Sequence, residues 1–376
     1  MTKSILTIVG TRPQIIKAAA FSRAIRKSSR TEIKEYLLHT GQHYDANMSR
    51  VFFEEMSIPQ PDFQLSTGSG GHGRQTGSML EAIENVLNDL RPDGLLVYGD
   101  TNSTLAGALA AAKMHIPVIH IEAGLRSFNK NMPEEINRIS TDHMSTFLFA
   151  PTATAVQNLE REGLTFDKKR PVSIDNPLVK HTGDIMYDNS LYFAGVAEEK
   201  SQVLEQNGLK KDRFLLCTIH RDFNTDNEDR LQNIFSGLNE ICSVSGIPAV
   251  LPLHPRTRNR IEQSGKIKVH KNIRIIEPVS FFDMILLEKY CRMIITDSGG
   301  VQKEAYFFRK GCVVLRPETE WVEIMETGNG ILADADPQKI LEGYHHFSAE
   351  REMNYPSIYG NGKAAEDISK TIRKYL

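Results

Sequence analysis

The chain has 376 residues, of which 40% are hydrophobic and 24% charged, and a net charge of −2. That length exceeds what one hydrophobic core usually fills, so two domains are expected. The balanced charge and a pI near 6.6 exclude a charge-driven binder of nucleic acid or anionic membrane, so any phosphate must be held by local geometry.

The first half alternates strand and helix patterns. Ile5–Val9 reads as an apolar strand, with no signal peptide before it, and Ile15–Arg26 as a helix. Glu35–His39 reads as a second strand and Asn47–Glu55 as a second helix. The glycine-rich stretch Ser66–Gln75 reads as a loop. Thr76–Leu90 follows as an amphipathic helix, with Met79, Leu80, Ile83, Val86, Leu87 and Leu90 on one face. Leu95–Tyr98 and Val118–Ile121 are strands flanking the small-residue helix Thr104–Met114. Residues Asn176–Asn189, with Pro177 and Gly183, read as the join. The pattern then restarts with strands at Phe214–Ile219, Ala249–Leu253, Ile273–Ile276, Met293–Ile295 and Cys312–Leu315. Such alternation predicts two α/β domains with parallel sheets facing a ligand cleft. No apolar run approaches the ~20 residues that span a bilayer, and the scattered cysteines lack metal-ligand spacing, so a reduced, cytoplasmic protein is expected.

Polar residues cluster just beyond strand ends, where open α/β sheets place their ligands. Gly10-Thr11-Arg12-Pro13 follows the first strand, with Lys17 one helical turn later, a pairing suited to a diphosphate. Gly99-Asp100-Thr101 and His120-Ile121-Glu122 follow two more strands, and Pro133-Glu134-Glu135 opens a helix. Asp100, Glu122 and Glu134 suit acid–base roles, whereas Glu135 fits the ordinary acid of a helix first turn. His220-Arg221 and His254-Pro255-Arg256 stand at strand ends in the second half. Thr296-Asp297-Ser298-Gly299-Gly300 leads from a strand into a helix, offering free amides and close backbone approach to a phosphate. Glu304, one turn on, can accept bonds from sugar hydroxyls. The same segment also reads as a plain strand-to-helix turn. There is no G-x-G-x-x-G, nucleophile elbow or metal spacing, so neither cofactor nor metal is expected.

Taken together, Gly10–Pro13, Gly99–Thr101, His120–Arg126, Pro133–Arg138, His220-Arg221 and Asp297–Gly300 resemble the non-hydrolysing UDP-N-acetylglucosamine 2-epimerases, in the family's order across nearly the whole chain. The resemblance implies a glycosyltransferase-B-like fold of two Rossmann-like domains, at 1–180 and 181–355, with a helix in 356–376 crossing back to the first. It implies Asp100, Glu122, Glu134 and His220 as the residues of the chemistry. It likewise implies Arg12, Lys17, Val279, Ser298, Gly299, Gly300 and Glu304 as UDP-sugar contacts, to which the strand-end pattern adds His254 and Arg256. The implied reaction eliminates UDP to a 2-acetamidoglycal and adds it back after reprotonation at C2, in surface polysaccharide precursor synthesis. A homodimer is implied too. A hydrolysing epimerase, a glycosyltransferase of the same architecture and a non-catalytic nucleotide-sugar binder are the alternatives.

The chain departs from that pattern at Gln14, Asn102, Met284, Trp321 and the residue before Tyr359-Gly360-Asn361-Gly362. These changes are similar to the subgroup acting on UDP-2,3-diacetamido-2,3-dideoxy-glucuronate, whose C6 carboxylate would need a cation such as Arg126, Arg221 or Arg256. Gln42–Asn47 and Gly68–Arg74 differ from the segments where some members bind a second nucleotide-sugar, so weak or absent activation is expected.

Overall fold

The computed structural model describes residues 2–27, 32–42, 53, 58–68, 70–349 and 353–376. The predicted helix at Asn47–Glu55 lies outside them except for Phe53, and the predicted activator segment Gln42–Asn47 lies outside them except for Gln42. Two units emerge, Met1–Asn189 with Ser357–Leu376, and Ser190–Pro356.

In the first unit the apolar runs form strands β1 (Lys3–Val9), β2 (Ile33–His39), β3 (Phe63–Gln64), β4 (Gly94–Tyr98), β5 (Val118–Ile121), β6 (Phe147–Ala150) and β7 (Leu178–His181). The order is β3-β2-β1-β4-β5-β6-β7, and every pairing is parallel. Strands β4, β5 and β6 are buried along their whole length, as expected for a sheet covered on both faces. One core packs Leu6, Ile8, Leu95 and Val97 against Met79, Ile83 and Leu87 of the helix His72–Leu90. That helix starts inside the glycine-rich stretch, which therefore supplies its first turn and is a loop only in part. In this unit the sequence pattern does not reveal β3, β6 and β7. The last of these falls within the expected join, where Pro177 and Gly183 masked a short strand.

In the second unit β8 (Leu215–Thr218), β9 (Ala249–Pro252), β10 (Ile273–Ile276), β11 (Met293–Thr296), β12 (Gly311–Val314) and β13 (Gly330–Leu332) form an all-parallel sheet, ordered β10-β9-β8-β11-β12-β13. Cys217, Cys242, Cys291 and Cys312 are all buried and pack as small hydrophobes. Among the described residues no helix is long and apolar enough to cross a membrane.

The C-terminal helix Ala364–Tyr375 belongs to the first unit, packed on Arg12–Lys27. Its first amides, Ala364 and Ala365, donate to the Asp188 carboxylate at 3.0 and 2.8 Å. Its approach is set by Gly183, at φ +84°, where a Cβ would lie 2.6 Å from the Tyr359 carbonyl oxygen. Gly183→Ala should therefore lower stability by about 2–4 kcal/mol, joining the positive-φ cost to the clash, and urea denaturation would show it. An unchanged midpoint would mean that the Tyr359-Gly360 segment yields freely.

Candidate active site

Each sheet reverses its strand order once. In the first unit the reversal falls at β1 and β4, and in the second at β8 and β11. Ligands of open α/β sheets settle at such switch points, beyond the strand C-termini. Arg12 follows β1, Asp100 follows β4 and Glu122 follows β5. His220 follows β8, Ser298 follows β11, His254 follows β9 and Val279 follows β10.

In the first unit Lys17 and Glu122 form an ion pair, with side chains only 12% and 10% exposed. Glu122 holds φ at +75°, an uncommon left-handed conformation for a side-chain-bearing residue, and its amide donates to the Phe149 carbonyl at 3.1 Å. Gly99, at φ +62°, lets the pair approach the backbone, since a Cβ there would sit 3.2 Å from the Glu122 carboxylate and 3.4 Å from the Lys17 ammonium. The Asp100 carboxylate is paired with Arg138, to which sequence alone assigns no role. Burial works against the Arg138 charge, but Asp100, Glu135 and Glu122 outweigh it and its pKa rises. Asn137 donates to the Asp100 carbonyl at 2.9 Å. The Glu-x-x-Asn-Arg spacing was the available signal, because residues four apart share a helix face. That spacing sets the exposed Glu134 on the Arg138 side of its helix. Arg12 is exposed at the start of the helix Arg12–Lys27.

Glu135 is more than a dipole acid. It is 1% exposed, accepts the Ser127 and Phe128 amides at 3.0 and 2.9 Å, and accepts Arg138 at 2.8 Å, anchoring the preceding loop. Gln14 ties two turns together. Its amide oxygen accepts Gly10 N–H, while its NH₂ donates to the Tyr98 carbonyl, each at 2.9 Å. A glutamate at 14 would set carboxylate against carbonyl there, which accounts for the amide.

Below these turns lies a buried cluster that sequence alone did not single out. The His120 Nε2–H donates to the Gly99 carbonyl at 2.8 Å, and Nδ1 faces an Asp142 carboxylate oxygen at 2.7 Å. Asp142 also accepts Gly124 N–H at 3.1 Å and Arg126 at 2.7 Å. Burial alone would raise the Asp142 pKa, but His120 and Arg126 hold it below the usual carboxylate range. Arg126, 1% exposed, also grips Glu162 with two bonds of 2.7 Å. It is therefore structural and, contrary to the expectation from sequence, not a cation open to a substrate carboxylate.

In the second unit Asp297 organises the switch point. Its fully buried carboxylate accepts the His220 amide at 2.9 Å, the Arg221 amide at 3.1 Å and the Asn224 side chain at 3.0 Å. This fixes the His220 turn beside the helix Gly299–Phe307. Ser298 caps that helix, its hydroxyl accepting Val301 N–H at 3.5 Å, and Gly299 and Gly300 are its first residues. A Cβ on Gly299 would collide with the Glu320 carboxylate. Glu304 is half-buried one turn along. His254 caps the helix Pro255–Ser264, its Nδ1 accepting Arg256 N–H at 3.3 Å. Arg256 pairs with Asp226 at 3.1 Å, and Val279, half-buried, precedes the cap Ser280.

A family model described as UDP-N-acetylglucosamine 2-epimerase matches residues 24–373. The UDP-2,3-diacetamido-2,3-dideoxy-D-glucuronate 2-epimerase of Pseudomonas aeruginosa is 46% identical over 98% of this chain and 99% of its own. The crystal structure of Methanocaldococcus jannaschii UDP-GlcNAc 2-epimerase in complex with UDP-GlcNAc and UDP aligns with TM-score 0.81 at 41% identity, covering 99% of both chains. Phytolacca americana UGT2, at 11% identity and TM-score 0.60 over 99% of this chain and 94% of that one, shares the fold, so the glycosyltransferase-B-like architecture stands.

Proposed function

The chain belongs to the UDP-N-acetylglucosamine 2-epimerase family, and on that premise we propose that it inverts C2 of a UDP-bound 2-acetamido sugar without hydrolysing it. The observation that carries this reading is the pair of carboxylates, Asp100 and Glu122, each held by a cation beyond neighbouring strands β4 and β5.

The C2 proton is not acidic, because no carbonyl is attached to that carbon. Its removal is therefore coupled to departure of UDP from C1, leaving a 2-acetamidoglycal. Reprotonation from the opposite face and return of UDP complete the epimerisation. Asp100, Glu122 and Glu134 are the proposed acids and bases, and their number suits a reaction that exchanges a proton on both faces of one carbon. The leaving diphosphate requires positive groups aimed at it. Arg12, Lys17, His220 and the amides following Ser298 fill that role in the proposal. Glu304 takes the ribose, Val279 lies against the uracil, and His254 with Arg256 completes the nucleotide contacts.

The sugar is proposed to be 2,3-diacetamido-2,3-dideoxy-glucuronate, in the supply of surface polysaccharide precursors, on the strength of the Pseudomonas relative. Arg221 is the candidate for its C6 carboxylate. It is exposed and, among the described residues, its side chain makes no ion pair. The Methanocaldococcus complex favours UDP-N-acetylglucosamine as the second candidate. A cytoplasmic homodimer completes the proposal, with light scattering as the check on its mass.

Proton NMR in heavy water with each sugar nucleotide tests the reaction. The expected result is the C2 epimer, still bound to UDP and carrying deuterium at C2. Accumulation of UDP with free sugar would replace this reading by hydrolytic epimerisation. Unchanged spectra with both substrates would overturn it.

A further inference from the structure

Glu288 lies in the helix Phe281–Tyr290, which packs against Gly299–Phe307, and is fully buried. Among the described residues no N–H or O–H group donates to either of its carboxyl oxygens. The polar group that meets it among the described residues is the Glu304 carboxylate. Two carboxylates in contact, one of them fully buried, are not both ionised, so one proton is shared between them. Glu288 is the fully buried member and Glu304 the half-buried one, which puts the proton on Glu288. Burial first, and the Glu304 charge second, push Glu288 well above the ordinary carboxylate range.

We propose that Glu288 is a positioning residue for the nucleotide, a carboxylic acid whose O–H donates to Glu304 and turns that carboxylate toward the ribose hydroxyls. The inference rests on the reading of Glu304 as the ribose ligand. One oxygen of Glu304 is oriented by the acid behind it. A neutral Glu288 also adds no second negative charge beside an anionic diphosphate.

The test is calorimetric binding of UDP and 2′-deoxy-UDP to the full chain and its variants. Glu288→Gln keeps a donor toward Glu304, so UDP affinity should stay within about twofold, with the ribose discrimination intact. Glu288→Leu should weaken UDP about tenfold, the size of one lost hydrogen bond to a charged group. It should also collapse the preference for UDP over 2′-deoxy-UDP and raise KM more than it lowers kcat. Should the leucine variant not fold, Glu288→Met takes its place. Full discrimination in a folded Leu or Met variant would overturn the inference, as would a Gln variant no better than Leu. Glu304→Ala separates the two readings. If it leaves UDP affinity and the deoxy penalty unchanged, the ribose assignment itself fails, whereas a collapse there with none in the Glu288 variants defeats only the positioning role.

Discussion

Glu122→Gln is expected to lower kcat by about 10²–10⁴-fold, the usual contribution of a positioned acid or base, while UDP affinity stays within about threefold. Glutamine is nearly isosteric and tolerates the φ of +75° about as well as glutamate does. The change therefore removes a proton acceptor and the partner of Lys17 while leaving the backbone in place. The nucleotide contacts proposed for the second unit are untouched, so the effect should appear in kcat far more than in binding. Steady-state kinetics with calorimetric titration of UDP checks this. A kcat within threefold of the parent would remove Glu122 from the chemistry and leave it as a strut for Lys17. Slow deuterium incorporation at C2 should fall in parallel with kcat.

Asp142→Ala should cost about 3–5 kcal/mol of stability, the penalty for breaking a buried ion pair and leaving its partner uncompensated. The His120, Asp142 and Arg126 side chains are 0%, 0% and 1% exposed, so the lost carboxylate's partners are left away from bulk water. The loss should also loosen the Gly99 carbonyl that His120 holds, and with it the Asp100 turn. The pH dependence has a definite sign. The folded pKa of Asp142 is lowered, so its stabilisation is complete above the unfolded carboxylate value of about 4 and is lost as pH falls through the folded value. Urea denaturation at neutral pH should show the full gap, and the gap should narrow on strong acidification. A neutral-pH difference under 1 kcal/mol would mean that the cluster is solvated after all.

Much of the fold was legible because fully buried parallel strands appear as short apolar runs, and β1, β4, β5, β8 and β11 do so clearly. Strand β7 was not, since Leu178–His181 is half-buried and carries Lys180 and His181 near its end. The glycine-rich stretch misled at its end because glycine signals a loop, yet its Gly73 lies, like the later Gly77, inside the helix His72–Leu90. There the apolar stripe of Met79, Ile83 and Leu87, packed in the core, outweighs a glycine cost of about 1 kcal/mol each.

By itself the sequence determined that carboxylates, cations and a glycine turn follow successive strands, because side-chain chemistry and strand-to-helix punctuation are local properties. Whether those groups touch is a property of strand order and helix packing. Only the tertiary structure paired Lys17 with Glu122 across 105 positions and Arg138 with Asp100 across 38. The same packing withdrew Arg126 into a buried cluster and set Glu288 behind Glu304. An arginine or glutamate reads alike in sequence whether it faces ligand or core; burial and the identity of its partner decide its charge state and its use.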